Sequence, residues 1–202
     1  MSTCPLQLKL VVLGDSGVGK TSILTRFVLQ EFSQSYQATV GADFLFKELI
    51  VDGIKFSLQI WDTAGQERFN SLGNSFYRGT DCCLLVFDLT NSESFDHASN
   101  WKKEFLYRTG NSPGSIPMIL IGNKRDLSSE RTVDLKLAKA WAGKEGLIYC
   151  EVSAKDSTRI EEAFINASRL CMNKQAESNR GFMVKSLILS QVSEEKPKKC
   201  CN

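Results

Sequence analysis

Apolar residues run almost without a break from Leu8 to Leu13, as in a short strand covered on both faces. A glycine-rich turn follows, then a helical stretch from Lys20 to about Gln30. Phe44, Phe46 and Glu48 alternate with Asp43, Leu45 and Lys47, a period of two that predicts a second strand. Asp52-Gly53 is a hairpin signal, and Ile54 to Trp61 returns as a third strand. A loop of glycine and polar residues extends from Thr63 to about Thr80. Beyond it, apolar strands over Cys82 to Phe87, Met118 to Ile121 and Ile148 to Val152 take turns with helical patterns. Those helices cover Ser94 to Arg108, Leu135 to Lys144 and Ile160 to Met172, with Gly146 as a stop after the second.

This alternation predicts an α/β fold with right-handed crossovers and helices on both faces of the sheet. The sheet should have six strands, mostly parallel, the hairpin strands forming the one antiparallel pair. From about Asn173 the periodicity fails, and Gln175 to Gly181 reads as linker. One apolar patch, Leu187-Ile188-Leu189, interrupts a polar stretch that closes on Lys196-Pro197-Lys198-Lys199-Cys200-Cys201-Asn202. The expected organisation is a folded domain over residues 1–173 and a flexible tail over 174–202.

Composition narrows the class. A chain of 202 residues, 42% hydrophobic and 24% charged, can bury a globular core without disulfide or metal staples. Its 25 cations and 23 anions leave a net charge of +2, so no nucleic-acid partner is expected. Seven cysteines stand at positions 4, 82, 83, 150, 171, 200 and 201. Adjacent strand residues face opposite ways, so Cys82 and Cys83 cannot share a metal, and the internal thiols read as the reduced cysteines of a cytosolic protein. The first residues lack the basic n-region of a signal peptide, and Lys9 breaks their apolar run. No stretch reaches the ~18 apolar residues of a membrane span.

Four motifs carry chemistry. Gly14-Asp15-Ser16-Gly17-Val18-Gly19-Lys20-Thr21 lies between a strand and a helix, the context that a phosphate-binding loop requires. Its amides form an anion nest, Lys20 would reach the β- and γ-phosphates, and Thr21 would ligate Mg²⁺. Asp62-Thr63-Ala64-Gly65-Gln66 closes the third strand. Asp62 can hold Mg²⁺ through water, the Gly65 N–H can approach the γ-phosphate, and Gln66, with both a donor and an acceptor, can orient an attacking water. Asn123-Lys124-Arg125-Asp126 ends another strand, at the carboxyl edge where such sheets bind ligands. Asp126 would accept from guanine N1–H and the exocyclic amine, which adenine cannot supply. Ser153-Ala154-Lys155, after the last strand, would meet the base carbonyl. The first motif alone says only nucleoside triphosphate; the ordered set specifies guanine.

The ordered set resembles the small-GTPase family, the P-loop G-domain fold, over Leu8 to Met172. Within it, Val40 to Phe44, Ser57 to Trp61, Arg68 to Gly73, Phe76 to Thr80 and Leu85 to Thr90 resemble the Rab pattern. The resemblance implies that Thr39 is the second Mg²⁺-ligating residue, and that Ser22, Ser33, Gln34 and Tyr36 join the nucleotide site. It makes Phe44, Trp61 and Phe76 the aromatic triad that effectors contact, core packing being the alternative. Gly41 to Phe44, Asp81-Cys82-Cys83 and Trp101 to Phe105 look like the late-endosomal and lysosomal Rab branch, whereas Phe46, Gly73 and Val152 depart from its pattern.

A C-a-a-X prenylation box needs cysteine where Lys199 stands, so Cys200 and Cys201 fail that signal. They are similar to the tandem-cysteine endings of Rab proteins, which an escort protein presents to a prenyltransferase. Two chains would anchor firmly where one is marginal, with Lys196, Lys198 and Lys199 adding attraction to an anionic leaflet. Leu187-Ile188-Leu189 resembles the apolar patch offered to that escort machinery.

The expected activity is in-line attack of water on the γ-phosphate of GTP. No arginine lies between Gln30 and Phe44, so turnover should be slow, ~10⁻³ s⁻¹ or less, without an activating protein. The resemblance implies a monomeric switch in vesicle trafficking, with an exchange factor, a GTPase-activating protein, a GDP-dissociation inhibitor and effectors. It would move between the cytosol and the cytoplasmic face of endomembranes. The rivals are a nucleotide-bound effector scaffold with little hydrolysis and a P-loop kinase of small metabolites. His97, the one histidine, sits among polar residues and reads as a surface group with no role.

Overall fold

The computed structural model describes residues 4–35, 39, 42–63 and 76–193, with side chains described to Glu177. The chain runs β1 (Leu6–Leu13), α1 (Lys20–Leu29), β2 (Ala42–Val51), β3 (Ile54–Thr63) and β4 (Cys82–Asp88). It continues through α2 (Ser92–Asp96), α3 (Ala98–Thr109), β5 (Met118–Asn123), α4 (Leu135–Lys144), β6 (Ile148–Glu151) and α5 (Ile160–Ser193).

The six strands form one sheet in the order β2-β3-β1-β4-β5-β6. Only β2 and β3 pair antiparallel, in a register that sets Phe44 opposite Trp61 and Val51 opposite Ile54. Strands β4 and β5 are buried at every position, which explains their unbroken apolar runs. Strand β2, at the sheet edge, alternates exposed and half-buried residues instead. Because β1 has β3 on one side and β4 on the other, the order reverses beside it, and a crevice opens at its carboxyl end.

Two apolar layers cover the sheet. On one face Ile23, Leu24, Phe164 and Ala167 of α1 and α5 pack on Leu10, Val12, Leu58 and Leu84. Phe27 and Phe164 stack there with ring centroids 3.7 Å apart. On the other face Ala98, Phe105, Ala138 and Ala142 of α3 and α4 pack on Val11, Leu13, Leu85 and Phe87. Cys82 belongs to the first layer and Cys83 to the second, and Cys4, Cys82, Cys83, Cys150 and Cys171 are free thiols.

Two helices differ from the sequence pattern. The helix predicted over Ser94 to Arg108 is two pieces that meet at His97. Asn91 caps the first piece by accepting from Glu93 and Ser94 N–H, and Ser94 Oγ accepts from Asp88 N–H at 3.0 Å. These bonds tie α2 to the end of β4 and set its angle independently of α3. The last helix, predicted to end at Met172, continues to Ser193. Lys174 to Glu177 are good helix formers, no proline intervenes before Pro197, and polar composition alone does not stop a helix. Among the described residues no helix is long and apolar enough to cross a membrane.

Candidate functional site

At the end of β1 the chain turns back over Gly14 to Gly19 and enters α1. Gly14 has φ 145°, and a Cβ there would collide with the Val86 carbonyl oxygen of β4. Gly19 has φ 90°, and its Cβ would collide with the Asn123 amide. Glycine is required at both places because the loop is pressed against two neighbouring strands. Lys20, the first residue of α1, is buried, and its Nζ donates to the Gly14 and Asp15 carbonyls at 2.8 Å each. Burial pulls its ammonium down to about 8, against the attraction of Asp62 and Asp15. A buried cation in a loop of amides at a helix N-terminus is a site that a phosphate chain completes.

Beside it three oxygens converge from three elements. Thr21 Oγ1 of α1 lies 2.7 Å from Thr39 Oγ1 and donates to Asp62 Oδ2 of β3 at 2.5 Å. Asp62 is 1% exposed, and its Oδ1 is buried with no hydrogen-bond partner. Burial raises its carboxyl pKa, while Thr21 and Lys20 pull it the other way. A buried carboxylate oxygen left over beside two hydroxyls fits a small hard cation that takes oxygen ligands and keeps its waters. No cluster of three His, Cys, Asp or Glu side chains forms among the described residues, so they build no soft or all-carboxylate site.

The opposite end of the crevice is closed by cross-links between loops. Asn123 Nδ2 donates to the Val18 carbonyl at 2.9 Å, and its Oδ1 accepts from Ala154 N–H at 3.3 Å. Ser153 Oγ donates to Asp126 Oδ1 at 2.7 Å. Lys124, at φ 64°, pairs with Asp88 at 2.6 Å. Between the two ends lies a cavity of about 600 Å³, the size of a nucleotide site.

Most residues singled out from the sequence meet there. Ser16, Gly17, Gly19, Lys20, Thr21 and Ser22 line the cavity on the loop side. Ser33, Gln34 and Thr39 line its rim, and Asn123, Lys124, Asp126, Ala154 and Lys155 its far end. Three do not line it with their side chains: Asp62 is buried behind Thr21, to which it is hydrogen-bonded, and the other two are Val18 and Ser153. Val18 is 2% exposed and packs in the core, leaving only its backbone to the loop, and Ser153 is fully buried and reaches the cavity through Asp126. Tyr36, Gly65, Gln66, Cys200 and Cys201 lie outside the described residues.

Four residues escape the sequence reading. Arg26 of α1 donates from Nε to the Ala154 carbonyl at 2.9 Å and from Nη2 to the Lys155 carbonyl at 3.0 Å. It thereby holds the far loop from the near side. Asp15, His97 and Trp101 form a cluster behind the phosphate loop, so His97 is not the idle surface group that its neighbours suggest. No local pattern marks these contacts, because each joins residues remote in sequence.

The aromatic residues also come together. Trp61 meets Phe44 and Phe76 edge-on, with ring centroids at 5.2 and 5.0 Å. Phe44 is 47% exposed, whereas Trp61 and Phe76 are half-buried and pack on the second core layer. Lys9 Nζ sits 5.0 Å from the Trp61 ring and donates to the Phe76 carbonyl at 2.6 Å. The group thus packs inward and still presents a face at the sheet edge.

Comparison with known proteins agrees with this geometry. The model of the Ras family matches residues 9–173. The chain is similar to Ras-related protein Rab-7a of Paramecium octaurelia, 45% identical over 197 residues and covering 96% of both chains. It is 51% identical over 176 residues to Ras-related protein Rab7 of Cenchrus ciliaris, covering 85% of this chain and 83% of the relative. With the Ypt/Rab-type GTPase ypt71 of Schizosaccharomyces pombe it shares 49% over 173 residues, 84% of this chain and 83% of that one.

Proposed function

The chain belongs to the Ras family, as a Rab-type small GTPase that hydrolyses GTP and switches vesicle trafficking, and we propose that Thr21, Thr39 and Asp62 hold its Mg²⁺ while Asp126 reads guanine. The observation that carries this is the run of contacts from the Thr39 hydroxyl to the Thr21 hydroxyl to the buried Asp62 carboxylate, whose second oxygen has no partner. When bound, Mg²⁺ supplies positive charge against the β- and γ-phosphates. Lys20 exchanges the Gly14 and Asp15 carbonyls for phosphate oxygens, and the loop amides donate to the rest. Gln66 orients the water that attacks the γ-phosphorus as the bond to the GDP oxygen breaks. At the other end Asp126, held by Ser153, accepts from guanine N1–H and the 2-amino group.

The same proposal extends to regulation. No arginine stands between Gln30 and Phe44, so an activating protein supplies the missing charge. An exchange factor reloads the site, effectors contact Phe44, Trp61 and Phe76, and a GDP-dissociation inhibitor extracts the protein from membranes. Lipids added to Cys200 and Cys201 by a prenyltransferase, with an escort protein, hold it to late-endosomal or lysosomal membranes. The Rab7 names of relatives at 45 and 51% identity favour that compartment.

Single-turnover phosphate release tests the site. With Mg²⁺ the full chain should hydrolyse GTP at ~10⁻³ s⁻¹ or less, and chelation should release nucleotide and stop turnover. Thr39→Ala should weaken the Mg²⁺ dependence of GTP retention much more than that of GDP, since Thr39 is released when the γ-phosphate leaves. Equal GTP retention with and without Mg²⁺ would remove Thr21, Thr39 and Asp62 from their role.

A further inference from the structure

Asp15 is a polar residue of the phosphate loop, and its side chain is engaged behind the loop rather than in the cavity. Its Oδ1 accepts from Trp101 Nε1 at 2.7 Å, and its Oδ2 lies 2.7 Å from His97 Nδ1. His97 and Trp101 stand one helical turn apart across the start of α3, so one face of that turn grips both carboxylate oxygens. The main-chain carbonyl of Asp15 accepts from Lys20 at 2.8 Å. Asp15 therefore joins α3 to the lysine of the phosphate loop.

Its charge is the awkward feature. A carboxylate in the second position of an anion-binding loop repels the phosphates that the loop admits. The neutral Trp101 N–H donates to that charge without cancelling it, whereas an imidazolium at His97 cancels it. The charged groups facing His97 include Asp15 of the loop and Glu93 of α2, whose Oε1 is 4.0 Å from Nε2. Lys20 lies beyond Asp15, against its carbonyl. The His97 side chain is 42% exposed and so exchanges protons with water.

We propose that His97 and Trp101 are positioning residues of the phosphate loop, and that the charge on His97 sets how tightly the loop holds the nucleotide phosphates. The proposal rests on the phosphate loop being the nucleotide site. Its sign follows from linkage: phosphate charge nearby favours the imidazolium, so the imidazolium form binds phosphate more tightly. Retention is strongest below the His97 pKa and weakens as pH rises through the region around ~6.5 where histidine ordinarily titrates. A nucleotide that raises this pKa by about half to one unit changes affinity about three- to tenfold between the two limits.

The chain has one histidine, so its ring C2–H gives one proton resonance to follow by NMR. In the full GDP-loaded chain at fixed Mg²⁺, Asp15→Asn should lower the His97 midpoint by about half a unit or more. Release of the fluorescent analogue mant-GDP should speed up between pH 6 and 8 by about three- to tenfold more in wild type than in His97→Gln, which keeps a polar side chain but cannot titrate. Trp101→Phe should speed release at every pH and keep the slope. Equal pH slopes in wild type and His97→Gln, or an unmoved midpoint in Asp15→Asn, would overturn the proposal. A chain that never binds mant-GDP would instead remove the nucleotide site, and the proposal with it.

Discussion

Asp126 already spends one carboxylate oxygen on Ser153, at 2.7 Å, so its conformation is set before any base arrives. In Asp126→Asn the remaining oxygen can keep that bond, while the new amide turns an acceptor into a donor. Guanine then meets donor against donor, and xanthine, with a carbonyl at that position, fits. GTP affinity should fall by at least ~100-fold and xanthosine triphosphate should compete in its place, because buried polar groups left unpaired discriminate strongly. Unchanged preference for GTP in a competition assay would show that Asp126 does not read the base. Other single residues act by shape alone. At Gly14 and Gly19 any side chain would strike β4 or Asn123, so the phosphate loop depends on two places where a Cβ is absent.

Elements hold the site through their ends. Strand β6 delivers the Ser153-Ala154-Lys155 turn, and its last residue, Glu151, is gripped by Arg131 with bonds of 3.0 and 2.6 Å. Tyr149 OH adds a third bond to Glu151 at 2.7 Å. Arg131 follows the loop of Asn123 to Asp126 at the end of β5, so this cluster ties together two of the loops at that end of the crevice. Burial alone would raise the Glu151 carboxyl, yet the bonds from Arg131 and Tyr149 outweigh it and hold the pKa below the usual glutamate value. A depressed folded-state pKa means that the stabilisation is complete above the unfolded pKa, ~4.3, and is lost as pH falls through the folded value. Urea denaturation of wild type should therefore lose stability more steeply between about pH 5 and pH 3 than Glu151→Gln does. Equal acid slopes would show that the cluster contributes nothing through its charge.

For the whole molecule, the question is how a nucleotide domain is held at a membrane. The last helix occupies 34 residues and would span about 50 Å at ~1.5 Å per residue, much of it beyond the family match that ends at 173. If lipids on Cys200 and Cys201 provide the anchor, Cys200→Ser or Cys201→Ser should weaken membrane retention and the double change should abolish it, since one prenyl chain binds only reversibly. Nucleotide affinity should not move, because both cysteines follow the end of the family match at residue 173. Fractionation of cells that finds the double variant still on membranes would sink this mode of attachment.

By itself the sequence determined what local spacing can carry. It marked the phosphate loop between strand and helix, the motif ends of β3, β5 and β6, the apolar runs of the buried strands, and the one antiparallel hairpin. These are legible because backbone conformation and strand burial are settled within a few residues of one another. The tertiary structure decided what depends on remote neighbours. Arg26 meets the Ala154 carbonyl across 128 residues, and Trp101 and His97 meet Asp15 across 86 and 82. It also split the predicted helix at His97, through bonds that Asn91 and Ser94 make to their own turn and to the end of β4. A side chain's partner across the sheet leaves no trace in the residues beside it. Which polar groups guard the phosphate loop was therefore decided only when α3 packed against β4 and brought His97 and Trp101 to the back of Asp15.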